Sequence, residues 1–249
     1  MQTLSKKSTE LSAFIGHSEQ NLWLNIDKPI GFSSAKVVAI IKRITGAKKV
    51  GHGGTLDPFA SGVLPIALNR ATKTADKLMC ARKKYFFRIT FGEFRDTDDV
   101  EGKCVESSTR RVNTESLLTV LPLFIGKINQ KPSRFSAIKI NGKRAYSLAR
   151  NGVEFEIPAR EVEIFSLKLL ANNFEFAEFE VECSKGTYIR SLAHDICERS
   201  KVCGFVSVLT RLQVGNFFYK NRISLDALKS ATTYCSRFLD GSLLSMQDV

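Results

Sequence analysis

The chain has 249 residues, of which 43% are hydrophobic and 25% are charged, a balance typical of a globular protein. No apolar run approaches the roughly 18 residues of a membrane span, and Met1–Gln20 lacks the apolar core of a signal peptide, so we expect a cytoplasmic protein with a loose polar tail. Lys and Arg outnumber Asp and Glu by 37 to 25, a net charge of +12 that favours a polyanionic partner; because a basic excess can also be solvated surface, its distribution along the chain matters more than its size.

The first predicted elements are a strand and a helix. Leu22–Ile26 is a short apolar run that leads into the turn sequence Asp-Lys-Pro-Ile-Gly, which predicts a strand followed by a turn. Ser33 and Ser34 suit a helix N-cap, and Gly46 suits a helix end. Between them the apolar residues recur at helical spacing, in Val37, Ile40, Ile41 and Ile44. The pattern predicts an amphipathic helix that ends near Gly46.

A loop rich in glycine and proline follows at Gly51–Gly62, with the sequence GHGGTLDPFASG. Glycine lets the backbone come close to a ligand, and Pro58 fixes the turn after Asp57. Asp57 is the only acid of the loop, so the segment is predicted to present one carboxylate. An isolated Asp-Pro pair is more often a turn in which the Asp caps its own backbone, and this segment alone leaves both interpretations open.

Strands and helices alternate along the rest of the chain without an internal repeat. Strands are predicted at Val63–Leu68, Lys84–Phe91, Glu161–Leu170, Phe174–Cys183 and Val206–Val214. Helices are predicted at Ala71–Met79 and Asn113–Phe124, after a tight turn at Asn141-Gly142, within the segment after Ser184, and after Ser224. The long hairpin that ends at Cys183 is predicted to carry a bulge between Phe176 and Phe179. The order predicts an α+β fold with a mixed, mostly antiparallel sheet, in one domain from residue 21 to residue 249.

Two groups of residues resemble metal sites without matching them. Asp96–Gly102 is acidic like a calcium loop, but Val100 occupies the third ligand position and Ser107 the closing one, so a turn between strands is predicted. The spacing of His194, Cys197 and Cys203 fits no structural zinc site. The six cysteines include no C-x-x-C pair, which indicates reduced thiols. No metal is expected.

The basic excess is concentrated in one segment, Lys127–Arg150, which holds seven Lys or Arg residues and no acid. Phe135 and Tyr146 lie among these charges and could stack on bases, so the segment is predicted to bind nucleic acid. Further along, the helix after Ser184 has an apolar face and is predicted to leave Arg190, His194 and Asp195 on the opposite one.

Six stretches together resemble the TruB family of tRNA pseudouridine synthases, in the family's order, from Leu22 to Phe217. They are DKPIGFSS at Asp27–Ser34, GHGGTLDPFASGVL at Gly51–Leu64, KKY at Lys83–Tyr85, FSAIKINGKRAY at Phe135–Tyr146, KGTYIRSL at Lys185–Leu192 and LTRLQVGNF at Leu209–Phe217. The resemblance implies the pseudouridine synthase fold, and it implies that the T-loop uridine of tRNA is flipped out of the T-arm and isomerised to pseudouridine.

The resemblance also implies roles for individual residues. Asp57 is the implied catalytic aspartate, and Arg190 the arginine that pairs with it. Tyr85 is the implied stacking partner of the target base. His52 would contact the region of the flipped nucleotide, while Tyr188 and Lys28 would lie near the site. The basic segment corresponds to an RNA-gripping insertion at about 127–150, with Arg134, Lys139, Lys143 and Arg144 as its RNA-binding residues.

The implied reaction needs no cofactor, because the uridine is detached at N1 and rejoined through C5 without net redox change. Whether Asp57 first attacks the base or the sugar, or removes a proton, stays open. Three positions depart from the family pattern: Gly53 replaces a usual Thr and is expected to loosen the loop, Phe135 replaces a Tyr, and Ser133 follows Pro132 where a second proline-like position is common. We also expect no C-terminal RNA-binding (PUA) domain and no obligatory protein partner.

Two other functions remain open at this point. A catalytically silent protein that binds or folds tRNA could retain the same scaffold, although the set of Asp57, Tyr85 and Arg190 argues against it. A nucleoside hydrolase would share the chemistry at the anomeric carbon, but it would not explain the basic segment.

Overall fold

The computed structural model describes residues 21–136, 138–140 and 142–230, so the predicted tail at Met1–Gln20 and position Asn141 of the predicted tight turn lie outside the described residues. Within them, residues 21–79 and 214–230 form one compact unit and Cys80–Gln213 form a second. None of the helices in the described part of the chain is long and apolar enough to cross a membrane. The predicted limits of a single catalytic domain stay a prediction.

The described elements, in chain order, comprise fourteen strands and five α-helices. The strands are β1 Trp23–Lys28, β2 Val50–His52, β3 Ser61–Leu68, β4 Lys83–Phe91, β5 Glu93–Arg95, β6 Cys104–Ser107, β7 Gly126–Gln130, β8 Lys139–Ile140, β9 Lys143–Arg144, β10 Arg160–Asn172, β11 Phe176–Cys183, β12 Gly204–Val214, β13 Phe217–Phe218 and β14 Ile223–Ser224. The α-helices are α1 Ser34–Thr45, α2 Ala75–Met79, α3 Thr114–Val120, α4 Ala145–Arg150 and α5 Ile189–Arg199. Short 3₁₀ helices lie at Asn69–Thr74, Leu121–Phe124 and Tyr219–Asn221, and residues 225–230 are helical.

In the first unit, β1 pairs antiparallel with β3 and parallel with β14, and β2 pairs antiparallel with β3. The first helix is confirmed at both ends. The Ser33 hydroxyl accepts a hydrogen bond from the Lys36 N–H at 3.1 Å, and Gly46 has a φ of 63°, a conformation that glycine adopts without a steric penalty. The buried face of α1 packs on the sheet in a core that includes Ile26, Val37, Ile41, Leu64, Ile66 and Leu228.

In the second unit, β4, β11, β10 and β7 pair antiparallel in that order, with β12 on the other side of β4. The buried face of β4 and β11 carries Phe87 and Phe179, whose rings stack at 5.0 Å. Their opposite face carries ion pairs between Arg82 and Glu182, Lys84 and Glu180, and Arg88 and Glu178. Together with the parallel pairing of β1 and β14, this arrangement confirms the predicted α+β fold with a mixed, mostly antiparallel sheet flanked by helices.

The bulge predicted in the hairpin is misplaced. Burial alternates without interruption along β11, so no phase shift occurs between Phe176 and Phe179. The register shifts lie in the partner strand β10 instead, at Ile164–Ser166 and at Leu169–Ala171, of which the second faces Phe179 and Glu178. The longer strand absorbs the extra residues, and β11 keeps its pleat because both of its neighbours constrain it.

The chain leaves the sheet after Gln130 and returns at Arg160. We call this segment, residues 131–159, the β7–β10 connection; it contains the hairpin of β8 and β9 followed by α4. Lys127, which opens the predicted basic segment, belongs to β7 and pairs with Glu161 of β10 at 2.9 Å. Its charge is therefore partly balanced within the sheet.

Candidate active site

Two side chains of the first unit form hydrogen bonds with the backbone of the loop that carries Asp57. The Ser34 hydroxyl accepts a hydrogen bond from the Leu56 N–H at 2.9 Å and donates one to the Leu56 carbonyl at 3.1 Å. The ammonium of Lys28, which is fully buried, donates to the carbonyl oxygens of Phe32 and Pro58 at 2.6 and 3.1 Å, and also to that of residue 29 at 2.9 Å. The peptides on both sides of Asp57 are thus fixed by a strand end and a helix start.

Asp57 itself begins a tight turn in which the Ala60 N–H donates to the Asp57 carbonyl at 3.1 Å. The Asp57 residue is half-buried. His52, at the end of β2, accepts a hydrogen bond on Nδ1 from the Gly54 N–H at 3.3 Å, which leaves Nε2 as the ring nitrogen that carries a proton in the neutral form. The first unit therefore brings Lys28, His52 and Asp57 to one loop.

Gly53 makes close contacts in this loop, and the loosening expected from its departure from the family pattern stays a prediction. The Gly53 N–H donates to the Pro65 carbonyl at 2.8 Å, and a Cβ at this position would lie 2.6 Å from Cδ2 of Leu78. The loop packs closely against α2 because no side chain intervenes.

Tyr85 lies on the buried face of β4, opposite Val181 of β11, with about 8% of its surface exposed. Lys83 shares this face, and its ammonium donates to the Ala81 carbonyl at 2.7 Å. Burial, followed by repulsion from Arg211, lowers the pKa of Lys83 to about 8. A lysine with a lowered pKa on the same face as the candidate stacking tyrosine was not predicted from the sequence.

Arg190 is buried, although the helical pattern predicted it on the side of its helix opposite the apolar face. One guanidinium nitrogen lies 3.2 Å from a carboxylate oxygen of Asp99 and donates to the Thr97 carbonyl at 2.9 Å. The second terminal nitrogen of the guanidinium, Nη2, donates to the Phe135 carbonyl at 3.1 Å. These partners offset the desolvation of the charge, which is why an arginine can occupy a buried helical position. The pairing of Arg190 with Asp57 stays a prediction.

The acidic turn Asp96–Gly102 is built to receive this arginine. Asp99 and Arg190 each have only about 4% of the side chain exposed. The second carboxylate oxygen of Asp99 accepts hydrogen bonds from the Thr97 hydroxyl at 2.7 Å and the Glu101 N–H at 2.9 Å. A Cβ on Gly102 would lie 2.3 Å from the Thr97 hydroxyl, so glycine is required there. The predicted turn is confirmed, and the cation that it binds is the guanidinium of Arg190.

Two further ionisable groups lie next to the acidic turn. His194 pairs with Asp98 at 3.0 Å and packs on the Phe94 ring at 4.7 Å. The hydrogen bond to Asp98 raises the pKa of His194 against the opposing effect of burial. Burial raises the pKa of Asp195 to about 6. No group of three or more His, Cys, Asp or Glu residues in the described ranges could hold a metal ion.

Tyr188 is the residue immediately before α5, and the guanidinium of Arg160 lies over its ring at 4.7 Å. The second unit therefore carries Tyr85, Tyr188 and Arg190, but only Tyr188 and Arg190 are close in the chain. The roles of all three stay predictions.

The predicted RNA-binding residues lie in the β7–β10 connection. Lys143 and Arg144 are exposed on β9, and the backbone of Lys139 pairs with Arg144 across the hairpin. Arg134 is also exposed, although it donates to the Val153 carbonyl at 3.2 Å and lies over the Phe155 ring at 5.1 Å. Beside it is a shallow cleft of about 440 Å³, lined by Lys131, Pro132, Arg134, Glu154, Phe155, Glu156 and Ile157.

Sequence reasoning missed the residues that hold the predicted ones in place. Ser34 was assigned to a helix cap, and Asp99 to a turn between strands. Gln130, whose side chain bonds to the Tyr188 backbone, gave no signal at all. For Asp99 a signal existed, since a cluster of acids in a strongly basic chain suggests a buried cation as partner.

Residues 42–189, more than half of the chain, match the TruB family pseudouridylate synthase (N terminal domain). A protein of Rhizobium meliloti named tRNA pseudouridine synthase B is 49% identical over 203 residues, which cover 82% of this chain and 65% of that protein. The protein of the same name from Agrobacterium fabrum is 51% identical over 207 residues, or 83% of this chain and 66% of its own length. The chain thus spans just under two thirds of these relatives.

Solved structures show the same fold. The structure titled "Structure of H/ACA RNP bound to a substrate RNA containing 2'-deoxyuridine" matches with a TM-score of 0.67 and 29% identity, over 89% of this chain and 56% of that one. The "Crystal Structure of a Cbf5-Nop10-Gar1 Complex" matches with a TM-score of 0.64 and 31% identity, over 82% of this chain and 52% of that one. With its braced aspartate loop inside the matched residues, the chain belongs to the TruB family of pseudouridylate synthases.

Proposed function

We propose that the chain is a tRNA pseudouridine synthase that isomerises the T-loop uridine. The observation that carries the proposal is the loop of Asp57, whose flanking peptides are fixed by Ser34 and Lys28 within a segment that matches the family. Similar proteins named tRNA pseudouridine synthase B support tRNA as the substrate class. The enzyme would act in the cytoplasm without an obligatory protein partner.

Asp57 is the catalytic residue in this proposal. Its carboxylate acts on the flipped uridine, either as a nucleophile or by stabilising the positive charge that develops on the sugar when the N1 bond breaks. The detached base then turns and rejoins the sugar through C5; C5 loses its proton and N1 gains one, so the reaction is an isomerisation with no net loss of atoms. A rigid loop favours this chemistry, because a carboxylate that is already oriented needs no reorganisation at the moment of reaction. In this scheme Lys28 supports the loop through its carbonyl groups.

Tyr85 and Arg190 organise the substrate region of the second unit. Tyr85 is proposed to stack on the target base, and its position on a central strand limits its motion. Arg190 is held by Asp99 and two backbone carbonyls, so its guanidinium is fixed before any RNA binds. His52 and Tyr188 are proposed to contact the flipped nucleotide.

The decisive experiment is to incubate the chain with unmodified tRNA and to map pseudouridine by a base-specific chemical adduct and primer stops. We expect a single stop in the T-loop with the wild type and none with Asp57→Asn. Asp226→Asn is the control, because it makes the same change at an exposed aspartate outside the loop of Asp57 and outside the turn that holds Arg190. No T-loop stop with the wild type would contradict the proposal, as would an undiminished stop with Asp57→Asn.

The same experiment separates the rival functions. A catalytically silent tRNA-binding protein would bind tRNA equally well with Asp57 or Asn at this position and form no pseudouridine. A nucleoside hydrolase would release free uracil, which chromatography detects directly. Pseudouridine formation without uracil release therefore favours the synthase alone.

RNA binding is proposed to depend on the β7–β10 connection. Replacing Lys139, Lys143 and Arg144 by Ala should weaken tRNA binding and flatten its salt dependence, with at most about 0.9 lost from the log–log slope for each phosphate contact removed. The control is Lys127→Ala, because Lys127 already pairs with Glu161. An unchanged slope in the triple variant would show that these charges are only solvated.

A further inference from the structure

The two residues that bound the β7–β10 connection both hold the same short segment of chain. Gln130 ends β7, Arg160 begins β10, and the two are directly opposite each other in the sheet. Both side chains reach residues 184–188, the segment that leads into α5 and Arg190. The connection is thus fastened at both of its ends to the backbone that carries Tyr188.

Gln130 makes the more specific of these contacts. Its side chain is completely buried, and its amide nitrogen donates to the Tyr188 carbonyl at 3.0 Å. Its amide oxygen accepts from the Tyr188 N–H at 2.7 Å. The amide thus binds both backbone polar groups of a single residue, as a neighbouring strand would.

Arg160 and Arg190 add contacts on either side of this pair. The Arg160 guanidinium donates to the Gly186 carbonyl and lies over the Tyr188 ring at 4.7 Å. Arg190 reaches back into the connection and donates to the Phe135 carbonyl at 3.1 Å. The connection and the start of α5 are therefore joined by three separate side chains.

We propose that Gln130 is a positioning residue that couples the binding of RNA by the β7–β10 connection to the placement of Tyr188 and Arg190. The proposal rests on the proposed synthase function. Gln130 lies one residue before the connection, and Arg190 lies two residues after the peptide that Gln130 holds, so a displacement at either end reaches the other through a single rigid amide. A misplacement of about 1 Å in such a group can lower a rate by about 10²-fold.

The first variant is Gln130→Met, which keeps the length and volume of the side chain and removes both hydrogen bonds. We expect the single-turnover rate of pseudouridine formation to fall between about 10-fold and 100-fold while the Kd for tRNA stays within about threefold. Asn129→Ala, on the exposed side of the same strand, is the matched control and should leave both quantities unchanged. Backbone amide exchange at Tyr188 should accelerate in Gln130→Met only.

The second variant distinguishes a positioning role of Gln130 from a role in the stability of the fold alone. Gln130→Glu keeps an acceptor for the Tyr188 N–H, but in its ionised form it cannot donate to the Tyr188 carbonyl. When protonated, the carboxylic acid can donate to the Tyr188 carbonyl and accept from the Tyr188 N–H, which are the two hydrogen bonds that the amide makes. Its activity relative to the wild type should therefore recover as the pH falls, whereas Gln130→Met should show no recovery. Burial favours the protonated form and brings this recovery into an accessible pH range.

Each outcome decides the proposal. A Gln130→Met rate within about twofold of the wild type, with accelerated exchange at Tyr188, would overturn it, as would the absence of any pH-dependent recovery in Gln130→Glu. If the wild type forms no pseudouridine, the proposed function fails, and the coupling through Gln130 is then tested by backbone amide hydrogen exchange alone. Bound tRNA must then slow exchange of residues 184–188 in the wild type but not in Gln130→Met, and equal slowing in both would overturn the coupling.

Discussion

The buried pair of Asp99 and Arg190 gives the sharpest test of how the second unit holds its arginine. Asp99→Asn removes the charge, keeps the shape, and places an amide that can donate where a carboxylate oxygen accepts. Both side chains are only about 4% exposed, so Asp99→Asn would remove from the interior the carboxylate that lies 3.2 Å from the Arg190 guanidinium. Breaking a buried pair from one side costs about 3–5 kcal/mol.

We therefore expect Asp99→Asn to lower the free energy of unfolding by about 3 kcal/mol. For a chain of this size this corresponds to a fall in Tm of roughly 6–12 °C. The measurement is urea unfolding followed by circular dichroism, with thermal unfolding as a second probe. Glu161→Gln is the control, since it breaks the exposed pair with Lys127 and should cost less than about 1 kcal/mol.

Two results would refute this reasoning. If the free energy of unfolding of Asp99→Asn lies within about 0.5 kcal/mol of the wild-type value, the ion pair does not compensate for the burial of the arginine. The double replacement Asp99→Leu with Arg190→Met should recover much of the lost stability, because it removes both charges from the interior. If the double variant is instead as unstable as the sum of the two single variants, the residues contribute independently.

Three further predictions follow from the geometry. Lys28→Met leaves three carbonyl groups without their ammonium donor, so we expect a loss of about 3 kcal/mol in unfolding free energy and faster amide exchange in residues 51–62. Gly53→Thr should lower the free energy of unfolding by about 1 kcal/mol, because its Cβ meets the movable end of the half-buried Leu78 side chain, and Leu78→Ala should remove this loss; a loss in urea unfolding that Leu78→Ala leaves unchanged would disprove the clash. The hydrogen bond to Asp98 raises the pKa of His194 in the folded protein. The stabilisation by this pair is therefore fully present below 6.5, the pKa of the histidine in the unfolded chain, and is lost as the pH rises through the pKa in the folded protein. The free energy of unfolding of His194→Gln should be lower than that of the wild type at about pH 5.5, and the two should converge at about pH 8.5.

The sequence predicts the fold of this chain well because most of its elements carry local signals. The first helix is defined by a serine cap and a terminal glycine, and β4 by its alternation of buried and exposed residues. The bulge was assigned to the wrong strand of the hairpin, since periodicity shows that two patterns go out of phase but not which strand holds the extra residue. Register depends on the neighbouring strands.

The candidate site is less predictable than the fold, because its supporting contacts join residues that are far apart in the chain. Asp57 could be singled out, since its loop is a continuous motif. Arg190 was identified, but its burial was not predicted, because helical periodicity describes the apolar face of a helix and not the distant partners that bury a charged residue. Its partner Asp99 is 91 residues away, and the Gln130 amide acts on a peptide 58 residues away. No local pattern encodes such pairs.

The row of ion pairs along β4 and β11 has a consequence for how a polyanion approaches. Arg82, Lys84 and Arg88 are each matched by a glutamate on the adjacent strand, so this face is nearly neutral despite the net charge of +12. The unbalanced positive charge is left to other surfaces, among them the β7–β10 connection. Under the proposed function, an approaching RNA would experience an uneven field that turns it before contact, and this orienting effect would weaken beyond a Debye length of about 8 Å at physiological salt. The glutamates of β11 would then help to select where the RNA first touches the protein.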